Sequence, residues 1–306
     1  MNYQDYFVFS PEVKKALNEK RPIVALESTI IAHGFAYPAN LETARECERI
    51  IRSLDVIPAT IGILNGKIHV GLTDEQLIYF ATNRDMKKCS RRDVAPTIAT
   101  NGDGATTVTT TAMFAHMAGI KVFATGGIGG VHRHGEVTMD ISADLQELAN
   151  TPITIVCAGA KSILDIERTK EYLETYGVSI IGYQTAKIPA FYTRDSGFDV
   201  DYQMDDVDTI AKTIKVRDDL AISSTLLVTN PIPKDSELDP EYINAEIEKA
   251  VKDSEVKGIK GKAVTPYLLS ALHNSTQGRS VEANKALVFN NAELAAKIAK
   301  ELSKAE

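Results

Sequence analysis

Two residues in this chain stand where covalent and proton-transfer chemistry is run, and an acidic pair stands where a cation could be held. Lys161 closes the run Cys157-Ala158-Gly159-Ala160 and is followed by Ser162, with Asp165 three residues further on. A lysine at the entry to a helix faces the positive end of the dipole, which favours the neutral, nucleophilic amine. The more ordinary expectation is a lysine that reaches out to solvent. Glu27 directly follows the apolar run Ile23-Val24-Ala25-Leu26. A carboxylate at the end of a buried strand is partly desolvated, which raises its proton affinity toward acid–base work. Capping of a nearby backbone amide is the plainer alternative. Asp140 and Asp144, four residues apart, offer hard oxygen ligands to Mg²⁺ or Mn²⁺, or acidic caps to the start of a helix.

Anion recognition has its own signals. Lys87-Lys88-Cys89-Ser90-Arg91-Arg92 is a compact cationic run in a chain of net charge −7. It reads as an anion-binding loop or as a solvated face. Gly102, Gly104 and Gly126–Gly130, with Thr106 and Thr107, could wrap a phosphate or simply make two tight turns. His132 and His134 could ligate a metal, although a polar loop histidine more often does not. There is no GxGxxG fingerprint, and Ala160 rather than glycine precedes Lys161, so neither a dinucleotide site nor a P-loop is supported. Cys47, Cys89 and Cys157 form no CxxC pair and no zinc pattern.

The elements that must position these residues alternate. Ile23–Leu26, Ile120–Ala124, Ile153–Cys157, Val178–Tyr183 and Ala221–Val228 read as strands. Asn40 reads as the N-cap of a helix whose apolar positions are Leu41, Ala44, Cys47, Ile50 and Leu54. Thr60–Leu64 and Lys67–Val70 flank Asn65-Gly66, the signal of a type I′ hairpin. Thr106–Ala118 reads as a helix stopped by Gly119, Ser162 and Asp165 as a capping box opening a helix that ends near Gly177, and the chain from Val281 as helical. The fold class is α/β, in three layers with a mixed sheet, and no boundary divides residues 1–306.

Composition narrows the function. With 44% hydrophobic and 25% charged residues among 306, the chain is globular rather than disordered or fibrous. Its acidic balance argues against nucleic-acid binding. No apolar run approaches the roughly 18–20 residues of a membrane span, and no secretory signal opens the chain. A reducing, cytoplasmic setting is expected from the cysteine usage.

Taken together, these stretches resemble a known family. Ala25–Gly34 with Tyr37-Pro38 and Asn40, Lys88–Asp93, Gly104–Val108, Ala124–Arg133, Asp140–Leu145, Cys157–Asp165, Asn230–Pro233 and Glu282–Val288 are similar to the motifs of the pseudouridine-5′-phosphate glycosidases. The resemblance covers nearly the whole chain, in order. It implies a three-layer αβα sandwich with a mixed, mostly parallel sheet. The implied activity is reversible cleavage of the C–C glycosidic bond of pseudouridine 5′-phosphate to uracil and ribose 5-phosphate. By the same resemblance Lys161 is the nucleophile that forms a lysine imine, and Glu27 is the proton donor. Lys88, Thr106, Thr107, Val108, Gly127, His132, Ser142, Ala143, Asp144 and Asn284 bind substrate. Asp140 binds Mn²⁺ or another divalent ion, which would polarise a uracil carbonyl or position the base, and the chain forms a homotrimer. His134-Gly135-Glu136-Val137 and Lys187-Ile188 depart from the family pattern. A lysine-imine aldolase and a non-catalytic phosphosugar-binding regulator are the rival readings; only the glycosidase would release uracil.

Overall fold

Short apolar runs separated by amphipathic stretches build a central sheet with helices on both faces. The computed structural model describes residues 3–259 and 261–304. It opens with β1 (Phe7–Phe9), α1 (Pro11–Asn18), β2 (Ile23–Leu26), α2 (Ala39–Ser53), β3 (Ile57–Leu64), β4 (Lys67–Val70), α3 (Asp74–Thr82), β5 (Lys87–Cys89), α4 (Arg91–Ala99), β6 (Gly104–Thr106) and α5 (Val108–Met117). Then follow β7 (Val122–Ala124), β8 (Val131–His132), α6 (Gly135–Thr138), α7 (Ala143–Asn150), β9 (Thr154–Cys157), β10 (Leu164–Asp165), α8 (Ile166–Thr175) and β11 (Ser179–Tyr183). The chain ends β12 (Tyr202–Met204), α9 (Val207–Asp219), β13 (Leu226–Thr229), α10 (Pro240–Val256), α11 (Val264–Ser275) and α12 (Arg279–Lys304).

The main sheet has the order β1-β4-β3-β2-β7-β9-β13-β11-β12, with β6 paired to β3 and β5 to β6. From β3 through β2, β7, β9, β13 and β11 to β12 every pairing is parallel. β4 and β6 pair with β3 antiparallel. The sheet is therefore mixed and mostly parallel, as expected. β2, β3, β7, β9 and β13 are buried along their whole length, which is why they read as continuous apolar runs rather than alternating ones. α2, α9 and α12 pack together over one face, and α1 and α5 cover β2 and β3 on the other, with α7 against α5 and α8 against α7. Asn65 and Gly66 both take positive φ at the β3–β4 hairpin, as a type I′ turn requires. Among the described residues no helix is long and apolar enough to cross a membrane.

Several local expectations shift. Asn40 is not an N-cap: α2 already starts at Ala39, and the buried Asn40 amide donates to the carbonyls of Ile31 and Ala81. Its polarity serves a crossing between segments rather than a helix end. The helix expected from Thr106 starts at Val108, because Thr106 is the last residue of β6 and Thr107 is the cap. Asp165, not Ser162, caps α8, accepting from the Arg168 amide at 3.0 Å. The strand expected over 221–228 is only Leu226–Thr229, since Ala221 has positive φ in the turn after α9.

Candidate active site

The parallel strands β2, β7 and β9 end side by side, Leu26 beside Ala124 and Ala124 beside Val156. The carboxyl edge of such a sheet is where ligands bind in open α/β folds. The residues that follow these strands are Glu27, Thr125 and the Ala158–Lys161 segment.

Glu27 is 9% exposed, and the Thr125 hydroxyl donates to its Oε1. Burial pushes its pKa up; Lys161, the Thr125 hydroxyl and Lys88 pull it back, Asp144 adds to the rise, and the balance is upward. The expected desolvated carboxylate is present, and its partner is a side-chain hydroxyl rather than a backbone amide. Lys161 stands across from it in charge–charge range. Lys161 does not open a helix, however. Its amide donates to the Ile128 carbonyl at 3.1 Å and its carbonyl accepts from Leu164; α8 begins only at Ile166. The helix-dipole argument therefore has no structural basis here. The lysine is placed instead by strand-like pairing of Ala160 with Ile128.

Glu27, Thr29, Lys88, Lys161 and Thr265 form the shared walls of two adjoining chambers, of about 1440 Å³ and 530 Å³ with their open mouths included. Their linings differ in kind. The larger is the more polar of the two and carries a cationic excess, with Lys88, Arg91, Arg92 and Lys161 against Glu27, Asp140 and Asp144. Ser90, Thr107 and Ser142, the N-caps of α4, α5 and α7, all line it, with Arg91, Arg92, His132 and Asp140. Three helix starts, with Lys88 and Arg92 in the same wall, favour an anion such as phosphate. Arg91 is held in place by a two-pronged bond to the fully buried Glu147 carboxylate at 2.7 and 2.8 Å, which ties α4 to α7. The smaller chamber is walled by Ile30, Phe191, Pro266 and Leu269, with His33, Gly127 and Asn284 among its edges. It suits a flat, weakly polar ring.

Of the residues expected to bind substrate, Lys88 lines both chambers, Thr107, Val108, His132, Ser142, Ala143 and Asp144 line the larger, and Gly127 and Asn284 the smaller. A side chain at Gly127 is excluded, since a Cβ there would meet the Phe191 ring at 2.6 Å. The Oγ1 of Thr107, the Oδ1 of Asn284 and the Nε2 of His33 are buried without a partner among the described residues. Leaving such an atom unpaired costs roughly 1–3 kcal/mol, so a ligand that pairs with it gains accordingly.

Thr106 is a correction. It is fully buried, its hydroxyl donates to the Ile61 carbonyl at 2.7 Å, and it lines neither chamber. Gly102 and Gly104 also lie outside both. Asp144 does not pair with Asp140 around a cation. Its carboxylate accepts from the amide and hydroxyl of Thr109 and from the Gly129 amide at 3.0, 2.6 and 2.8 Å, so its charge is spent on pinning the glycine run to α5. His134 is exposed, against Glu136 and Glu255.

Of the two aspartates lining the larger chamber, Asp140 is the one left to serve a cation. Its side chain accepts no hydrogen bond from a described residue, and burial, with the charges of Lys88 and Lys161, keeps the neighbouring His132 pKa low against the opposing pull of Asp140. No cluster of three or more His, Cys, Asp or Glu side chains among the described residues could cage a metal. The donor set thus fits a hard divalent ion with one protein carboxylate and water in the rest of its shell. Asp140 lines the larger chamber and is absent from the wall of the smaller one.

Sequence reasoning gives Thr125, Phe191 and His33 no role. Thr125 had one available signal: it follows β7 as Glu27 follows β2. Phe191 had none, because its ring reaches the site from a loop beyond β11.

Residues 12–301 match the family model described as indigoidine synthase A like protein. A pseudouridine-5′-phosphate glycosidase of Brachyspira hyodysenteriae is 53% identical over 99% of this chain and 98% of its own length. The glycosidase of the same name from Geobacillus kaustophilus is 55% identical over 98% and 99%. The chain belongs to the pseudouridine-5′-phosphate glycosidase family. Two solved structures share the fold of this glycosidase-family chain. The prealnumycin C-glycosynthase AlnA, solved with ribulose 5-phosphate, superposes with a TM-score of 0.91 at 41% identity, covering 98% of this chain and 97% of its own. An indigoidine synthase A-like protein from Thermotoga maritima gives 0.90 at 33% identity, covering 99% and 98%. Most motifs that carry the likeness to the glycosidases send residues into the walls of the two chambers.

Proposed function

We propose that this chain cleaves the C–C glycosidic bond of pseudouridine 5′-phosphate with water, reversibly, giving uracil and ribose 5-phosphate. The observation that carries this reading is the meeting of Lys161 and Glu27 in the wall shared by a cationic chamber and an apolar one. A nucleotide joins a phosphate to a flat base through a sugar, and the reacting C1′ lies between them. The phosphate takes the chamber of Ser90, Arg92 and Ser142. The base takes the chamber of Phe191 and Asn284.

A carbon leaving group has no oxygen to protonate, so a pair of carboxylates acting as in ordinary glycosidases does not suit this bond. The free amine of Lys161 attacks C1′. The C1′–O4′ bond breaks, and O4′ takes the proton of Glu27, opening the ribose. The secondary ammonium so formed passes a proton to the Glu27 carboxylate, which delivers it to uracil C5; the freed nitrogen lone pair then forms C1′=N⁺ as the C1′–C5 electrons return to the uracil ring and it leaves. Water adds to the imine and releases the aldehyde of ribose 5-phosphate and the lysine amine. An uncharged carboxyl at Glu27 is what the first proton transfer needs, and burial favours it. Asp140 would hold Mn²⁺ or another divalent ion, which when bound supplies positive charge at the phosphate end of the cleft. The reading extends to a cytoplasmic homotrimer.

The test is product analysis with purified protein and pseudouridine 5′-phosphate. Release of uracil and ribose 5-phosphate in equal amounts is expected, lost on chelation and restored by Mn²⁺. Ribose 5-phosphate chemistry without uracil release would favour an aldolase.

A further inference from the structure

We propose that Thr125, anchored by Asn291 of α12, is a positioning residue that holds Glu27 in one orientation toward Lys161. The inference rests on the reaction proposed above and adds a residue to it. Thr125 is 3% exposed and its hydroxyl donates directly to Glu27 Oε1. Its backbone is fixed from behind. The fully buried Asn291 amide donates to the Thr125 carbonyl at 2.9 Å and to the Gly126 carbonyl at 3.4 Å. Asn291 is itself held, because its Oδ1 accepts from Asn230 at 3.2 Å and Asn230 also donates to the Asn290 carbonyl. The neighbouring Asn290 donates to the Pro231 carbonyl at 3.0 Å. Two consecutive asparagines of α12 thus clasp the loops that follow β7 and β13, on either side of β9 and the segment leading to Lys161.

The hydroxyl does more than fill space. A donor to a carboxylate favours its ionised form, and so opposes the burial that drives Glu27 the other way. The charged groups that face Glu27 are Lys161, Lys88 and Asp144, and none of them changes when Thr125 is replaced. Glu27 acts while protonated, so kcat/KM falls as pH rises through its pKa. Removing the Thr125 hydroxyl must move that fall to higher pH. A residue that only shaped the loop would lower kcat or stability and leave the position of the fall unchanged.

Thr125→Val, Thr125→Ser and, as a smaller variant that cannot clash, Thr125→Ala decide the matter. The valine and alanine variants should show the alkaline limb of kcat/KM displaced upward, kcat reduced roughly 10-fold by loss of orientation, and KM within about twofold of the parent. The serine variant should restore the limb. Infrared titration of the Glu27 carboxyl, taken as the difference from Glu27→Gln protein, needs no substrate and should show the same upward displacement. If the unmodified enzyme releases no uracil, the reaction is wrong and the infrared titration still judges Thr125. An unmoved titration in both Thr125→Val and Thr125→Ala, or a serine variant no better than alanine, overturns the inference.

Discussion

On the proposed mechanism Lys161 carries the largest single demand, since its amine holds C1′ before the carbon–carbon bond breaks. Incubation with ribose 5-phosphate and borohydride should fix one reduced sugar phosphate on the protein, located at Lys161 by peptide mass and absent from Lys161→Ala. An adduct on a different lysine would move the nucleophile. Glu27 makes a different demand. Glu27→Gln keeps the volume and the Thr125 partner but cannot give up a proton, so turnover should drop by roughly 10²–10⁴-fold with substrate binding retained. The same variant tests the cost of burying the charge. The folded pKa of Glu27 is raised by burial, so its favourable contribution is complete below the unfolded carboxylate range and is lost as pH rises through the folded value. Glu27→Gln should therefore melt higher than the parent at alkaline pH, and the gap should close on acidification. A difference in Tm that stays constant with pH would mean that Glu27 has the same pKa folded and unfolded.

Between elements, the contact with most consequence is Asp144, which joins the starts of α5 and α7 to the glycine run between β7 and β8. Asp144→Ala leaves the Thr109 and Gly129 amides unpaired at roughly 1–3 kcal/mol each. A loss of about 2–3 kcal/mol in urea unfolding is expected, together with weaker binding of inorganic phosphate as the starts of α5 and α7 lose alignment. Unchanged stability would show that water replaces the carboxylate without cost. This scale also separates what could be read in advance. β2, β7 and β9 were legible because strands covered on both faces must be apolar throughout, and the residues after them inherit the sheet's carboxyl edge. The surroundings of Lys161 were not legible. Ala160 meets Ile128, and β10 meets β8, across more than thirty residues of sequence, and these pairings leave no periodic trace. Thr106 misled for a related reason: a threonine beside a helix start looks the same whether its hydroxyl faces the cleft or the Ile61 carbonyl.

At the scale of the whole molecule, β3 lies beside β2 and β6 beside β3, so much of one half of the sheet is made from the first third of the chain. The clasp on the site comes from the other end. α12 packs on β2, β7 and β9, and its apolar stripe includes Leu287, Val288, Ala292, Ala295 and Ile298. On the ribosome, where residues appear at roughly 5–20 per second from the N-terminal end, Glu27 and Lys161 emerge long before the helix that covers the strands beneath them. A chain stalled short of residue 279 keeps an apolar sheet face bare and lacks both asparagines that grip the loops, so it should be cut readily by protease and bind exposed-surface dyes. Extending the stalled chain until α12 clears the exit tunnel should bring protection in one step. Such protection would mean that synthesis from one end delays assembly of the Glu27–Lys161 pair until α12 arrives.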